Sequence, residues 1–315
     1  MNNRIGYVYG AAAYLWWGTF PLFFMLLAAV DPFEIVPWRV FTSLVFCALL
    51  VTIMRSWGTI RAILRSPRML GWFTVSSLLL YINWQLFVIG VVSGRIIETA
   101  LGYFINPLIT ILIGVVVRKE RLAPLQWVAV VIAAVGVLVS SIAYGQIPFI
   151  ALGLALSFGL YGAVRKQVSA DIDALTGLTV ETMVGTVFAA VQLVLVVVLV
   201  GELQALTFGP AVTIPLLLSG AMTAIPLMFF AAGNRMLPLT HMGFIQFATP
   251  ILNFLTGYFI FHEPMPVARW IGFIAVWVAL VVLFWDILKR VRQHRQASLE
   301  PQDPKTGEVP VQPAA

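Results

Sequence analysis

Phe104-Ile-Asn-Pro107 and Phe247-Ala-Thr-Pro250 open the same pattern twice, 143 residues apart. The first copy runs on through Gly114 and Glu120 to Trp127. The second runs through Gly257 and Glu263 to Trp270 at identical spacings. The register also holds outside this window, since Gly10 and Ala12 fall opposite Gly153 and Ala155. Self-similarity at a fixed period in so apolar a chain predicts two homologous halves.

Of 315 residues, 61% are hydrophobic and 10% charged, far from the balance of a soluble domain. A membrane-spanning helix needs about 20 mostly apolar residues. Ten such stretches are readable, roughly at 5–29, 33–54, 69–92, 97–117, 124–143, 147–164, 177–200, 211–232, 240–261 and 267–288. They are continuous apolar runs without the alternation of a β-barrel strand. The fold class predicted is an all-α membrane protein of ten transmembrane helices. Its domains are a first five-helix repeat at 1–143, a second at 147–288, and a basic, then disordered, cytoplasmic tail at 289–315. An odd number of spans per half inverts the second half relative to the first, the arrangement of many alternating-access transporters.

The net charge of +6 reflects topology and is not a nucleic-acid footprint. With the N-terminus inside, Arg4, Arg55, Arg61, Arg65, Arg68, Arg118, Lys119, Arg121, Arg165, Lys166, Arg235 and the basic residues of the tail are cytoplasmic. Only Arg39, Arg95 and Arg269 remain for the outer side. That asymmetry follows the positive-inside rule and places both termini in the cytoplasm. The arginine-rich loop from Arg55 to Arg68 is expected to rest against anionic headgroups. A single cysteine, Cys47, allows no intramolecular disulfide.

Pro107 and Pro250 lie near the middle of spans 4 and 9. A proline lacks the backbone donor and collides with the carbonyl four residues back, here that of Tyr103 or Gln246. Lipid cannot satisfy a freed carbonyl, so protein or cavity water must. Both prolines read as hinges. The same helices carry matched polar stripes: Tyr103, Asn106 and Thr110 share one face, and their counterparts are Gln246, Thr249 and Asn253. Amides are costly in hydrocarbon, so the stripes face the interior. Two readings stand for them, the walls of a solute cavity or hydrogen bonds that close the bundle.

Asn83-Trp84-Gln85 is a polar, aromatic triplet in mid-span. Trp17 and Tyr161 each precede a glycine in spans 1 and 6. These residues read either as solute contacts or as packing. The substrate-binding candidates are thus Asn83, Trp84, Tyr103, Asn106, Gln246, Asn253, Trp17 and Tyr161.

Charges inside spans are few. Glu34, Arg39, Arg95 and Glu98 gather toward the outer ends of spans 2 and 4. Arg39 sits about 9 Å along its helix, deep enough to call for Glu98 or Glu34 as a partner. Glu181 and His241 are the inner-side counterparts. Arg39, Glu98, Glu34, Glu181 and His241 are therefore the gate or coupling candidates. Glu120 and Glu263 end spans 4 and 9, where a carboxylate opposes the helix dipole. Each is expected to be held by a cation or a loop amide.

These residues give the chain a resemblance to the RarD group of permeases, in the EamA family of the drug/metabolite transporter superfamily. The matching stretches include Glu98-Thr-Ala-Leu-Gly-Tyr-Phe-Ile-Asn-Pro107, Ala151-Leu-Gly-Leu-Ala-Leu-Ser-Phe158, Val164-Arg-Lys-Gln167, Glu181-Thr-Met183 and Gly243-Phe-Ile-Gln246. The resemblance covers about residues 4–288. It implies two inverted five-helix repeats around a central cavity and movement of small organic solutes across the bacterial inner membrane. The partners implied are a small-molecule solute, membrane lipids, and a proton or an exchanged solute; no cofactor, metal or nucleic acid is expected. An intramembrane enzyme is disfavoured, because the histidines at 241, 262 and 294 are scattered and no H-E-x-x-H or G-x-S-x-G motif occurs. A membrane sensor or scaffold would have only short loops and the tail through which to act.

Overall fold

The computed structural model describes residues 3–119, 122–165, 167, 172–237 and 239–297, and among these every regular element is helical. In chain order they are α1 (Asn3–Gly18), α2 (Phe20–Met25), α3 (Pro32–Met54), α4 (Trp57–Arg65), α5 (Pro67–Val92), α6 (Ile96–Arg118), α7 (Pro124–Tyr144), α8 (Phe149–Arg165), α9 (Ala174–Val200), α10 (Pro210–Met236), α11 (Leu239–Ile245), α12 (Ala248–Leu255) and α13 (Val267–Ala297). A 3-10 turn, Gln204–Leu206, precedes α10, and a π-helical turn, Thr256–Ile260, follows α12.

The 143-residue register carries through the helix bounds. Shifting α5 by 143 gives 210–235, against 210–236 for α10. The same shift takes α1 near α8, α3 onto α9, α6 onto the run from α11 to the π turn, and α7 onto the first part of α13.

Eight helical stretches among the described residues are long and apolar enough to cross a membrane: α3, α5, α6, α7, α9, α10, His241–Ile260 and most of α13. α1 and α8, with 16 and 17 residues, fall short of the roughly 20 that a span needs. The predicted first span is interrupted at Thr19. Pro21 sits in the first turn of α2, so its missing N–H leaves the chain there free to end one helix and begin another. The Thr19 hydroxyl instead caps the Trp16 carbonyl at 2.7 Å.

Three details of the helices go beyond the spans read from the sequence. The loop between Arg55 and Arg68 contains α4, whose Ile60 and Ile63 pack with Val51, Phe73 and Val180 while Arg61 and Arg65 face out. This amphipathic helix is too short for its periodicity to stand out in the sequence. The predicted ninth span is broken at Gln246-Phe247. The tenth span continues as helix to Ala297, where an Arg290–Asp286 pair at 2.9 Å bridges one turn. The expectations for Glu120, Arg121 and Lys166, and for the tail beyond Ala297, fall outside the described residues.

The helices form two compact units: residues 1–110 with 148–264, and residues 111–147 with 265–315. Each takes from both halves. In the first unit α3 packs on α9, its own counterpart, while α1 packs on α10 and the corresponding α8 packs on α5. In the second unit α7 lies along its counterpart α13.

Close approach depends on small residues. A Cβ on Gly220 of α10 would fall 2.2 Å from the Thr42 carbonyl carbon of α3. The repeat-related pair is Ser77 of α5 against Gly185 of α9, 3.3 Å by the same measure. Glycine and hydroxyl residue have exchanged places between the two copies. Outward-facing Val45 and Leu49 of α3, Leu138 of α7 and Val198 of α9 are broadly exposed, an apolar surface suited to lipid.

Candidate functional site

All the residues singled out as solute contacts, hinges and gates fall in the first compact unit. One group surrounds Glu181, a buried carboxylate one to two turns into α9. Its Oε1 accepts from the Ser76 hydroxyl at 2.8 Å and lies 3.6 Å from Arg165 Nε at the end of α8. Its Oε2 accepts from the Tyr161 hydroxyl at 3.3 Å, and its backbone carbonyl from Ser77 at 2.7 Å. An ion pair with further hydrogen bonds is what keeps a buried carboxylate tolerable. Beside it lies a small cavity of about 10 Å³, lined by Glu181, Ser77, Tyr81, Trp84, Thr182 and Gly185 among others.

Trp84 joins this cavity to a second group around Arg39. The Arg39 guanidinium lies 4.3 Å from the Trp84 ring centre, 5.1 Å from Phe24 and 5.4 Å from Phe20. Its Nε donates to Thr223 at 2.9 Å. Neither expected carboxylate pairs with it. Glu34 instead caps the 3-10 turn, accepting from the Gln204 and Ala205 backbone at 2.8 and 2.9 Å, and takes the Trp38 indole at 3.3 Å. Glu98 pairs with Arg95 at 2.5 Å and accepts from Ile150 N–H at 2.9 Å at the start of α8. Helix and turn N-termini offer free N–H groups, so both acids are drawn to them.

The third group is the pair of polar stripes. Tyr103 packs between Phe87 and Phe158, and α6 runs unbroken through Pro107. In the repeat-related run, α11 ends at Ile245 and α12 begins at Ala248, so Pro250 sits in the first turn of a new helix. The Gln246 carbonyl, expected to be freed, accepts from Thr249 N–H at 3.2 Å. The Thr249 hydroxyl donates to the Tyr14 carbonyl of α1 at 2.8 Å. Phe104 and Phe247, exact counterparts in the repeat, stack with centroids 6.3 Å apart. Asn253 is fully buried with neither Nδ2 nor Oδ1 partnered, and Asn106 Oδ1 is likewise buried and unpartnered.

The remaining candidates have packing partners. Asn83 donates to the Leu154 carbonyl at 3.1 Å and to Ser157 at 3.0 Å, tying α5 to α8. Trp17 packs on Tyr14 and Phe230, while Trp17, Trp84 and Tyr103 all border one apolar cluster containing Phe20, Phe24 and Phe87. His241 is exposed and bonds through Nδ1 to the Tyr7 hydroxyl. Glu263 accepts from Ile96 and Ile97 N–H at 2.5 and 3.0 Å, so it holds the N-terminus of α6.

Sequence reasoning did not find Arg165, Ser76, Thr223 or Ser157. A signal existed for the first of these: two of the family-like stretches, Val164-Arg-Lys-Gln167 and Glu181-Thr-Met183, are joined by the Arg165–Glu181 bridge.

The repeat seen in the helices is also a family signature, since the model of the EamA-like transporter family matches residues 4–142 and again 147–285. The chain belongs to the EamA-like transporter family. It is 40% identical to the protein RarD of Streptomyces exfoliatus, over all of this chain and 98% of that one. It is 36% identical to the uncharacterized transporter YojE of Bacillus subtilis, over 91% and 96%. Identity to the protein RarD of Escherichia coli is 35%, over 93% and 98%. A crystal structure at 18% identity shares the fold, with a TM-score of 0.53 over 89% of this chain and 97% of that one. This chain is therefore a RarD-type, multi-pass membrane transporter of the drug/metabolite superfamily and not an enzyme.

Proposed function

We propose that this EamA-family member is a secondary transporter of the bacterial inner membrane that moves a small organic solute by alternating access. In this reading the chain crosses the membrane ten times. Residues 1–143 and 147–288 are inverted halves, and both termini, with the tail from 289, face the cytoplasm. The observation that carries the reading is the unmet hydrogen-bonding capacity of Asn253 and Asn106 on two repeat-related helices that meet at Phe104 and Phe247. Buried polar atoms are nearly always satisfied, and exceptions call for an explanation such as water or ligand. A solute or water in a pathway between the stripes supplies it.

The reciprocal packing supports a two-fold relation between the halves, which maps the contact of α1 with α10 onto that of α8 with α5 and the Phe104–Phe247 pair onto itself; with five spans in each half, that relation is an inversion. Gln246, Trp84, Tyr103, Trp17 and Tyr161 then border the pathway, Asn83 braces it, and Pro250 marks the hinge, with Pro107 its stiffer counterpart. Glu181 with Arg165 and Tyr161 forms the inner gate and the carboxylate available for proton coupling. Glu34, Glu98 and His241 set the helix ends.

Counterflow in proteoliposomes tests the proposal: a panel of radiolabelled metabolites and aromatic compounds, loaded inside, should drive exchange through wild-type protein. Replacing Asn253 with Leu should abolish it in protein that remains folded. Folded wild type that exchanges no member of a broad panel would overturn the reading.

A further inference from the structure

Arg39 is 3% exposed, on α3, and it is a buried charge without a counter-charge among the described residues. Every other buried charged side chain among the described residues of the first unit is accounted for. Glu181 has Arg165, Glu98 has Arg95, and Glu34 and Glu263 each take two backbone N–H groups. No carboxylate among the described residues lies within ion-pair distance of Arg39. Its Nε is met by the neutral Thr223, and its Nη1 is buried with no partner. One turn along the same face, the fully buried Ser43 hydroxyl is also unpartnered.

The three aromatic rings explain how the cation is tolerated but not what its donors are for. Cation–π contact engages the flat faces of a guanidinium, whereas its N–H groups point outward in the plane and bind oxyanions edge-on. A side chain held only for packing would gain nothing from an unpartnered N–H, which is costly when buried. The small cavity beside Glu181 adjoins this position, since Val40, the next residue, and Trp84, which lies against the guanidinium, both line it. In this conformation the cavity has room for about one water molecule, so a solute reaches Arg39 when the helices part during alternating access.

We propose that Arg39 is the anion-recognition residue of the solute pathway, and that the transported solute carries a carboxylate beside a small apolar or aromatic body. The carboxylate docks on the free edge of the guanidinium and the body lies against Trp84. This rests on the transporter reading above.

The test uses full-length wild type, Arg39→Met and Arg39→Lys, measured by thermal unfolding in detergent and by exchange in phosphatidylcholine vesicles. The probes are matched pairs: benzoate with benzamide, 4-methylpentanoate with its amide, and L-phenylalanine with L-phenylalaninamide. At least one carboxylate is expected to stabilise and exchange through wild type, its amide at least tenfold more weakly. Arg39→Met should lose that response while its solute-free Tm stays level or rises, and Arg39→Lys should recover part of the response. Amides equal to carboxylates would overturn the inference, as would an Arg39→Met protein that keeps the carboxylate response. A solute-free Tm several degrees lower in Arg39→Met would make Arg39 a structural brace instead. Arg39-dependent stabilisation by inorganic phosphate or phosphatidylglycerol alone would reassign the anion to an inorganic ion or a lipid headgroup and overturn the solute assignment. Wild type that exchanges only neutral solutes fails this inference alone. Folded wild type that exchanges nothing fails the transporter reading, and the Tm of Arg39→Met still decides between a free cation and a brace.

Discussion

In α6 the chain passes Pro107 without leaving the helix, whereas in the matching run it stops at Gln246-Phe247, just before Pro250. The two prolines occupy the same register position, so the proline alone does not decide the outcome. Its neighbours do. α6 has Ala100 where the second copy has Gly243, a residue that weakens a helix by about 1 kcal/mol. The second copy also offers its loosened backbone other partners, with Gln246 bonded to Thr249 and Thr249 bonded to Tyr14 of α1. The continuous helix keeps one amide oxygen unmet, at Asn106, and the broken one keeps both polar atoms of Asn253 unmet. Rigidity and unspent hydrogen bonds are thus distributed unequally between two segments of common pattern.

The largest expected effect comes from the residue that ties the second copy to the first. Glu263 follows the broken run and caps the continuous helix through Ile96 and Ile97. Glu263→Ala leaves two N–H groups without their acceptor and should destabilise the protein by about 3 kcal/mol. Thermal unfolding in detergent reads this directly, and a loss under 1 kcal/mol would mean α6 is held by packing alone.

Next comes the seating of α6 on α8. A Cβ on Gly102 would lie 2.8 Å from the Ala151 carbonyl oxygen and 3.0 Å from Leu154 Cβ. Gly102→Val should cost about 2 kcal/mol by overpacking. The repeat counterpart of Gly102 is Ile245, whose Cδ1 lies 3.2 Å from where a Cβ on Gly10 of α1 would fall, so the second copy fills with a side chain what the first leaves to backbone contact. Ile245→Val, which only trims that contact, should cost about 1 kcal/mol. Unfolding curves for the two variants test the ranking.

The polar stripes should respond in the opposite sense. Asn253→Leu removes two unmet polar atoms from a fully buried site and should raise the stability of solute-free protein by about 1–2 kcal/mol while abolishing exchange. Asn106→Leu, which removes one, should raise it less. A destabilised Asn253→Leu protein would show that the amide is satisfied and structural, which removes the main support for the pathway.

The hinge contrast predicts a smaller difference. Pro250→Ala restores a backbone donor where the helix is broken, and one added hydrogen bond is worth about 1 kcal/mol. Amide exchange between Gln246 and Pro250 should slow about fivefold, and solute exchange should slow with it. Pro107→Ala, in a helix already continuous, should leave both within about twofold. Equal responses would end the distinction between hinge and stiff counterpart.

The register of 143, the polar stripes and most helix bounds were readable because they depend on periodicity and local composition. The break at Gln246 was not, because a proline marks which backbone bond is lost and the contact with Tyr14 comes from 235 residues away in sequence. Glu34 and Glu98 were assigned to Arg39 on depth alone. Which donors they reach depends on the helix N-terminus that folding brings nearest, and both found backbone N–H groups. Glu263 was read as needing a cation or a loop amide, and the N-terminus of α6 fills that requirement. Arg165 reads as a positive-inside marker, and although two family-like stretches contain it and Glu181, their spacing alone does not pair them.

The smallest effect belongs to the position where the two copies differ most in chemistry and least in placement. Glu98 opens α6 and accepts from Ile150 N–H, while His241 opens α11 and bonds the Tyr7 hydroxyl. Residues 98 and 241 are counterparts, and so are 150 and 7, so one contact of the repeat is kept with its chemistry replaced. In the first copy the contact is buried and charge-assisted; in the second it is exposed and neutral donors or acceptors suffice. Water competes freely at an exposed pair, so His241→Ala should cost about 0.5 kcal/mol or less, against about 2 kcal/mol for Glu98→Ala. The ratio is the informative quantity. If His241→Ala equals or exceeds Glu98→Ala in the same unfolding assay, the histidine is part of a gate that closes on Tyr7, and the second copy carries a functional contact that the first replaced with a structural one.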